Sequence, residues 1–222
     1  MMKHKYIDHQ IEFSHRKSYK RDLRGFTIIE LMIATVVFSV ILLLVTYGIL
    51  QIGRAYTKGL TVTKTQNTAR TVMDAITQDI QFYKSGSVDG GFNGGSGTYV
   101  ICVGNNRYTA LLGQMLDDTA SVPALLFDAN LVGGCSTGNP QTWPKQVGTD
   151  PVELLTANMR VAAIDIAQLG TSDLYKAHVR VVYGEDSALN NPTALDASCQ
   201  GGDINQFCAV SDLTTTIHKR VN

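Results

Sequence analysis

The sequence predicts an α+β fold: one long N-terminal helix, apolar at first and amphipathic later, packed on an antiparallel β-sheet. Three observations predict it. Residues 26–50 hold one formally charged side chain, Glu30. Ala69, Val72, Met73, Ile76, Ile80 and Tyr83 recur at three-and-four spacing, which draws one apolar stripe along a helix. Ala177, Val179, Val181 and Tyr183 alternate with Lys176, His178 and Arg180, the period of a strand with one apolar face.

The apolar segment comes first. As a helix, its 25 residues cover about 37 Å, against about 30 Å for the hydrocarbon of a bilayer. A membrane span is therefore the better reading than a buried helix of a soluble core. A secretory signal peptide has a shorter apolar core and a small-residue cleavage site after it; no such site is evident here. The periodicity beyond Leu50 extends the same helix, with Arg70, Asp74, Gln78, Asp79 and Gln81 on other faces. Gly48, Gly53 and Gly59 are the points at which it is free to bend or unwind.

After Lys84 the texture changes. Residues 86–97 contain six glycines and read as a flexible loop. Strand-like segments follow at residues 98–103, 124–128, 161–167 and 174–183. The last two are separated by a short turn around residues 170–173 and form a hairpin. Residues 109–116 and 187–202 read as irregular. The organisation is thus a leader over residues 1–25, an apolar helix over 26–50, its amphipathic continuation over 51–85, and a β-rich domain over 86–222.

Nineteen basic and nineteen acidic residues cancel across the chain, so nothing at that level marks a nucleic-acid binder. The charge is unevenly placed. Residues 1–25 carry seven Lys/Arg against three Asp/Glu, a net of +4, which leaves twelve basic and sixteen acidic residues beyond them, a net of −4. A basic head, a greasy segment and an acidic body describe a single-pass precursor with its N-terminus in the cytoplasm and its body exported. Cys102, Cys135, Cys199 and Cys208 all fall in that body. An even count in an oxidising compartment favours two disulfides over four buried thiols. Zinc is disfavoured, because no C-x-x-C pair is present and the histidines are not spaced as ligands.

The motif that carries function is Arg24-Gly25-Phe26-Thr27-Ile28-Ile29-Glu30-Leu31. A glycine sits at the step from charge to grease, an aromatic follows, and one carboxylate stands alone four residues later. Gly25 leaves the backbone open to a protease site. A carboxylate inside hydrocarbon is costly unless partnered, and so is a functional candidate. This stretch resembles the leader junction of type IV pilins and type II secretion pseudopilins. The resemblance implies cleavage by prepilin peptidase between Gly25 and Phe26 and N-methylation of Phe26. It also implies pairing of Glu30 with the N-terminal amine of a neighbouring pilin subunit. Such a head-to-tail contact is heterologous and builds an open helical fibre.

A more diffuse resemblance covers the body. Residues 72–79, the run Val181-Val182-Tyr183-Gly184, and the tail Cys199 to Ser211 with Arg220 are similar to PilW-type minor pilins, themselves related to J-type minor pseudopilins. The resemblance implies a pilin-like fold and local disulfides, Cys199 with Cys208 and Cys102 with Cys135; four cysteines allow two other pairings. Removing 25 of 222 residues leaves a chain longer than a typical major pilin, which favours a minor subunit.

No enzyme motif is present: no H-E-x-x-H, no G-x-S-x-G and no phosphate-cradling glycine loop. His178 reads as solvated on the polar face of its strand, and Cys135 as a disulfide partner rather than a nucleophile. Glu185, Asp186, Asp196 and Asp203 match no EF-hand spacing and read as solvated charges. Trp143, between Pro140 and Pro144, reads as a core anchor. The expectation is a non-enzymatic minor pilin with no cofactor and no metal. It would sit in the cytoplasmic membrane as a precursor and then in an extracellular pilus, near its tip or priming its assembly. A minor pseudopilin of a type II secretion system is the alternative within the family, and a signal-anchored surface binding protein the alternative outside it.

Overall fold

The computed structural model describes residues 25–83, 87–93, 97–116, 122–138, 151–171, 173–193 and 195–220. The expected leader over residues 1–24, and Trp143 with its flanking prolines, lie outside the described residues. The chain divides into two compact units, Met1–Tyr47 and Gly48–Asn222.

Helix α1 runs over Ile28–Phe82 as unbroken α-helix, through Gly48, Gly53 and Gly59. In the first unit every described side chain is exposed. In the second unit the helix buries one face: Thr61, Thr65, Thr68, Ala69, Val72, Met73, Ile76 and Ile80. The upper part of that face is the apolar stripe read from the sequence. The lower part is threonine. Thr61 and Thr65 donate their hydroxyls to the carbonyls of Thr57 and Thr61, at 2.9 and 2.8 Å. Back-bonding to the preceding turn satisfies the hydroxyl internally and lets the methyl group face the core.

That face meets an α+β core. Strands β1 (Val88–Asn93), β2 (Thr98–Val103), β3 (Asn106–Leu111), β4 (Leu125–Asp128) and β5 (Val152–Glu153) form an antiparallel sheet in that order. Strands β6 (Met159–Gln168), β7 (Leu174–Tyr183) and β10 (Ala209–His218) form a second antiparallel sheet in the order β10-β7-β6. The β6–β7 hairpin is the one the alternation predicted, with a bulge between Val161 and Ala163. Its inward residues, among them Val161, Ile164, Val179 and Val181, join Ile76, Ile80, Ile101 and Tyr108 in one cluster. The outward Val182 and Ala162 are covered by Ala188, Leu189, Ala197 and Cys208 from the segment between β7 and β10.

Three parts of the expected layout need correction. Residues 86–97 read as a flexible loop, yet they contain β1, fully paired with β2. A Cβ on Gly90 would lie 2.5 Å from Ile166 Cγ2 and 2.8 Å from the Tyr99 hydroxyl. The glycine is there for close approach of β1 to β6, not for flexibility. Residues 109–116, read as irregular, begin inside β3, whose buried Arg107 and Thr109 hide the alternation. Residues 187–202 contain a short hairpin, β8 (Leu189–Asn190) with β9 (Ser198–Cys199).

Buried polar groups tie the layers together. Arg107 and Asp128 face each other across β3 and β4 as a buried ion pair, 3.0 Å from Nη2 to Oδ2. Arg160, also buried, donates to the carbonyls of Gly184, Pro192 and Gly113 and meets Asp186 at 2.7 Å. Asp79 on α1 accepts from Tyr108 at 2.6 Å and from Asn106 at 3.1 Å. Burial, and then that hydrogen bond, push the Tyr108 phenol well above its ordinary range.

Candidate functional site

The chemistry-bearing stretch of the first unit starts at the foot of α1. Gly25, Phe26 and Thr27 precede the helix. A Cβ on Gly25 would meet nothing within 4 Å, and Phe26 is 79 % exposed. Among the described residues, nothing crowds the junction. Thr27 is the helix cap: its hydroxyl accepts the Glu30 N–H at 3.3 Å, and its carbonyl accepts the Leu31 N–H at 3.2 Å. The run Thr27-Ile28-Ile29-Glu30 has the T-x-x-E spacing of a capping box, a signal that was present in the sequence and not used.

Glu30 falls in the first turn, where the unsatisfied N–H groups favour a negative charge. Its side chain is exposed, and among the described residues its carboxylate has no hydrogen bond or ion pair. Thr35 and Ser39 turn their hydroxyls back onto the carbonyls of Met32 and Thr35, at 2.9 and 2.7 Å. The segment therefore offers a continuous apolar exterior with one free carboxylate at its start. By length and composition α1 is long and apolar enough to cross a membrane.

A family model, the prokaryotic N-terminal methylation motif, matches residues 20–46. The N-terminal segment is type IV pilin-like. The motif implies processing by prepilin peptidase and pilin-type assembly, and the apolar helix suits a membrane-anchored precursor. The α+β architecture of one long helix with antiparallel sheets is pilin-like as well. No curated protein and no solved structure matches the chain.

The remaining candidate residues lie in the second unit. Cys102 is bonded to Cys135, and Cys199 to Cys208, with Cα separations of 5.6 and 5.7 Å. The first ties β2 to the loop after β4; the second closes a loop of the C-terminal region. Cys208 also meets the helix. The Lys58 ammonium donates to the Cys208 carbonyl and to both oxygens of Asn205, the latter at 2.9 and 2.8 Å. Burial lowers its pKa. Sequence reasoning missed this clasp, since no local pattern links residue 58 to residue 205.

His178, expected on the polar face of its strand, is partly exposed and also meets a carboxylate. Its Nε2 lies 2.8 Å from Asp212 Oδ1, and Arg180 donates to the other oxygen of the same carboxylate at 3.2 Å. Of the four acids Glu185, Asp186, Asp196 and Asp203, Asp186 is paired with Arg160 while its side chain stays exposed. Among the described residues no three His, Cys, Asp or Glu side chains group as metal ligands would.

Proposed function

We propose that this chain is a minor pilin, a structural subunit of a type IV pilus rather than an enzyme. Prepilin peptidase cuts it between Gly25 and Phe26, and Phe26 is then N-methylated. Glu30 receives the N-terminal amine of a neighbouring subunit, and the chain helps to prime assembly or to form the tip region. The observation that carries the reading is the methylation motif lying over an apolar helix start whose one carboxylate is unpartnered. An unpaired carboxylate at such a position in hydrocarbon is destabilising. A cation from another chain removes the penalty and makes assembly the stabilised state.

The test is mass spectrometry of the N-terminus of protein recovered from membranes and from sheared surface filaments. The expected result is a chain beginning at methylated Phe26 in the filament fraction, and loss of Glu30→Ala from that fraction with processing intact. An intact leader, or a cut beyond Leu50, overturns the reading in favour of a signal-anchored surface protein. A processed, methylated chain that co-purifies only with a secretion apparatus assigns it to a type II pseudopilin instead.

A further inference from the structure

A groove of about 700 Å³, which the pilin-like N-terminus does not explain, is lined by residues of β1, β2, β6 and β7 and of the segment around Thr193. Leu112 and Ala163 form part of its walls, and Phe92 and Leu195 stand at its rim, 62 % and 61 % exposed. Polar groups in the lining include Tyr99, Asp165 and His178. Their charges do not balance locally. The Tyr99 phenol donates to Asp165 Oδ1 at 2.6 Å, while Oδ2 has no hydrogen bond among the described residues. Arg180, on β7, is paired with Asp212, His178 Nε2 also lies against that carboxylate, and Lys176 does not line the groove. Asp89 on β1 adds a second negative charge that reaches the same phenol. An apolar trough is thus left with surplus negative charge, on a body whose net charge is −4.

We infer that this groove docks a basic, apolar peptide segment of a partner protein, with a lysine or arginine seated against Asp165 and a neighbouring apolar side chain between Phe92 and Leu195. The cation is called for by the uncompensated carboxylate. A protein partner is called for by the open rim. Large apolar side chains, Phe92 and Leu195, stay exposed at its edge, as interface anchors are.

The test uses the full chain in neutral-lipid nanodiscs, with empty discs subtracted. The probe is a fluorescein-labelled decapeptide alternating phenylalanine with lysine, and the control alternates phenylalanine with glutamate. Fluorescence anisotropy is expected to show saturable binding of the first alone, weakened by added salt. Asp165→Asn is expected to weaken it about tenfold. Ala163→Trp, which fills the trough, is expected to abolish it. Leu195→Lys, at the exposed rim, weakens it by repulsion and serves if the tryptophan variant does not fold. Equal binding of both peptides, no binding of either, or indifference to Asp165→Asn overturns the proposal. Displacement of the peptide by phenethylamine at the same concentration also overturns it, in favour of a small-amine site.

Discussion

Replacing Arg107 by methionine breaks the buried pair it forms with Asp128. Both side chains are almost wholly enclosed, 2 % and 1 % exposed. Arg107→Met strips Asp128 Oδ2 of its Nε and Nη2 donors at 3.1 and 3.0 Å, while Oδ1 already has no hydrogen-bond partner. A carboxylate left buried in this way costs about 3–5 kcal/mol. For a body of this size each kcal/mol is worth about 2–4 °C, so the melting temperature should fall by about 6–20 °C. The double variant Arg107→Met/Asp128→Leu removes the stranded charge and fills the space, and should recover most of the loss. Thermal melts of the full chain in nanodiscs, with hydrogen exchange read at the β3 and β4 amides, measure both. A single variant that loses less than about 2 °C, or a double variant no better than the single, refutes the reasoning.

Two further outcomes follow from the second unit. Gly104 has φ of +57° and the ring of Tyr83 occupies the place of its missing Cβ, while the Tyr83 hydroxyl accepts the Asn105 N–H at 2.8 Å. Gly104→Ala should cost about 2 kcal/mol or more and speed exchange at residues 104–106; unchanged exchange there would count against this packing. Glu153 accepts the N–H groups of Ala124, Leu125 and Leu155 at 2.8–3.0 Å, yet burial raises its folded pKa above the ordinary 4.5, against the pull of those donors. Its linkage contribution is therefore fully present below the unfolded value and is lost as pH rises through the folded one. Urea denaturation at pH 7 and pH 5 should show the stability difference between wild type and Glu153→Gln moving toward wild type at the lower pH. A difference independent of pH refutes the sign.

What could be read in the sequence was what is encoded locally. The apolar run, the stripe from Ala69 to Ile80 and the alternation of β7 each lie within one element and carry its period. What could not be read depends on a partner far along the chain. The two glycines of β1 look like loop until Ile166 and Thr137 are placed against them. The buried polar residues of β3 break the alternation because their partners are Asp128 and the sheet around it, not water. Strand β10 hides behind Asp212 and a run of threonines, although one of its faces lies against the core through Ser211, Leu213 and Ile217. The N-terminal motif was readable because its geometry is almost wholly local, although the capping role of Thr27 passed unnoticed. The groove beside Asp165 was not readable: it is assembled from four strands and the segment around Thr193, and nothing in any one of them announces it.

The clasp at Lys58 sets an order of events. The lower end of the packed helix is held by Asn205 and Cys208, and its upper end receives the Arg220 N–H on the Gln81 carbonyl at 3.2 Å. The helix is therefore secured at both ends by residues that leave the ribosome long after it. Until the segment from Asn205 to Arg220 is available, α1 lacks both of these ties and β7 lacks one of its two neighbours. Such long-range closure slows folding. A ribosome that stops short of Cys208 would yield the helix without a finished β-rich body.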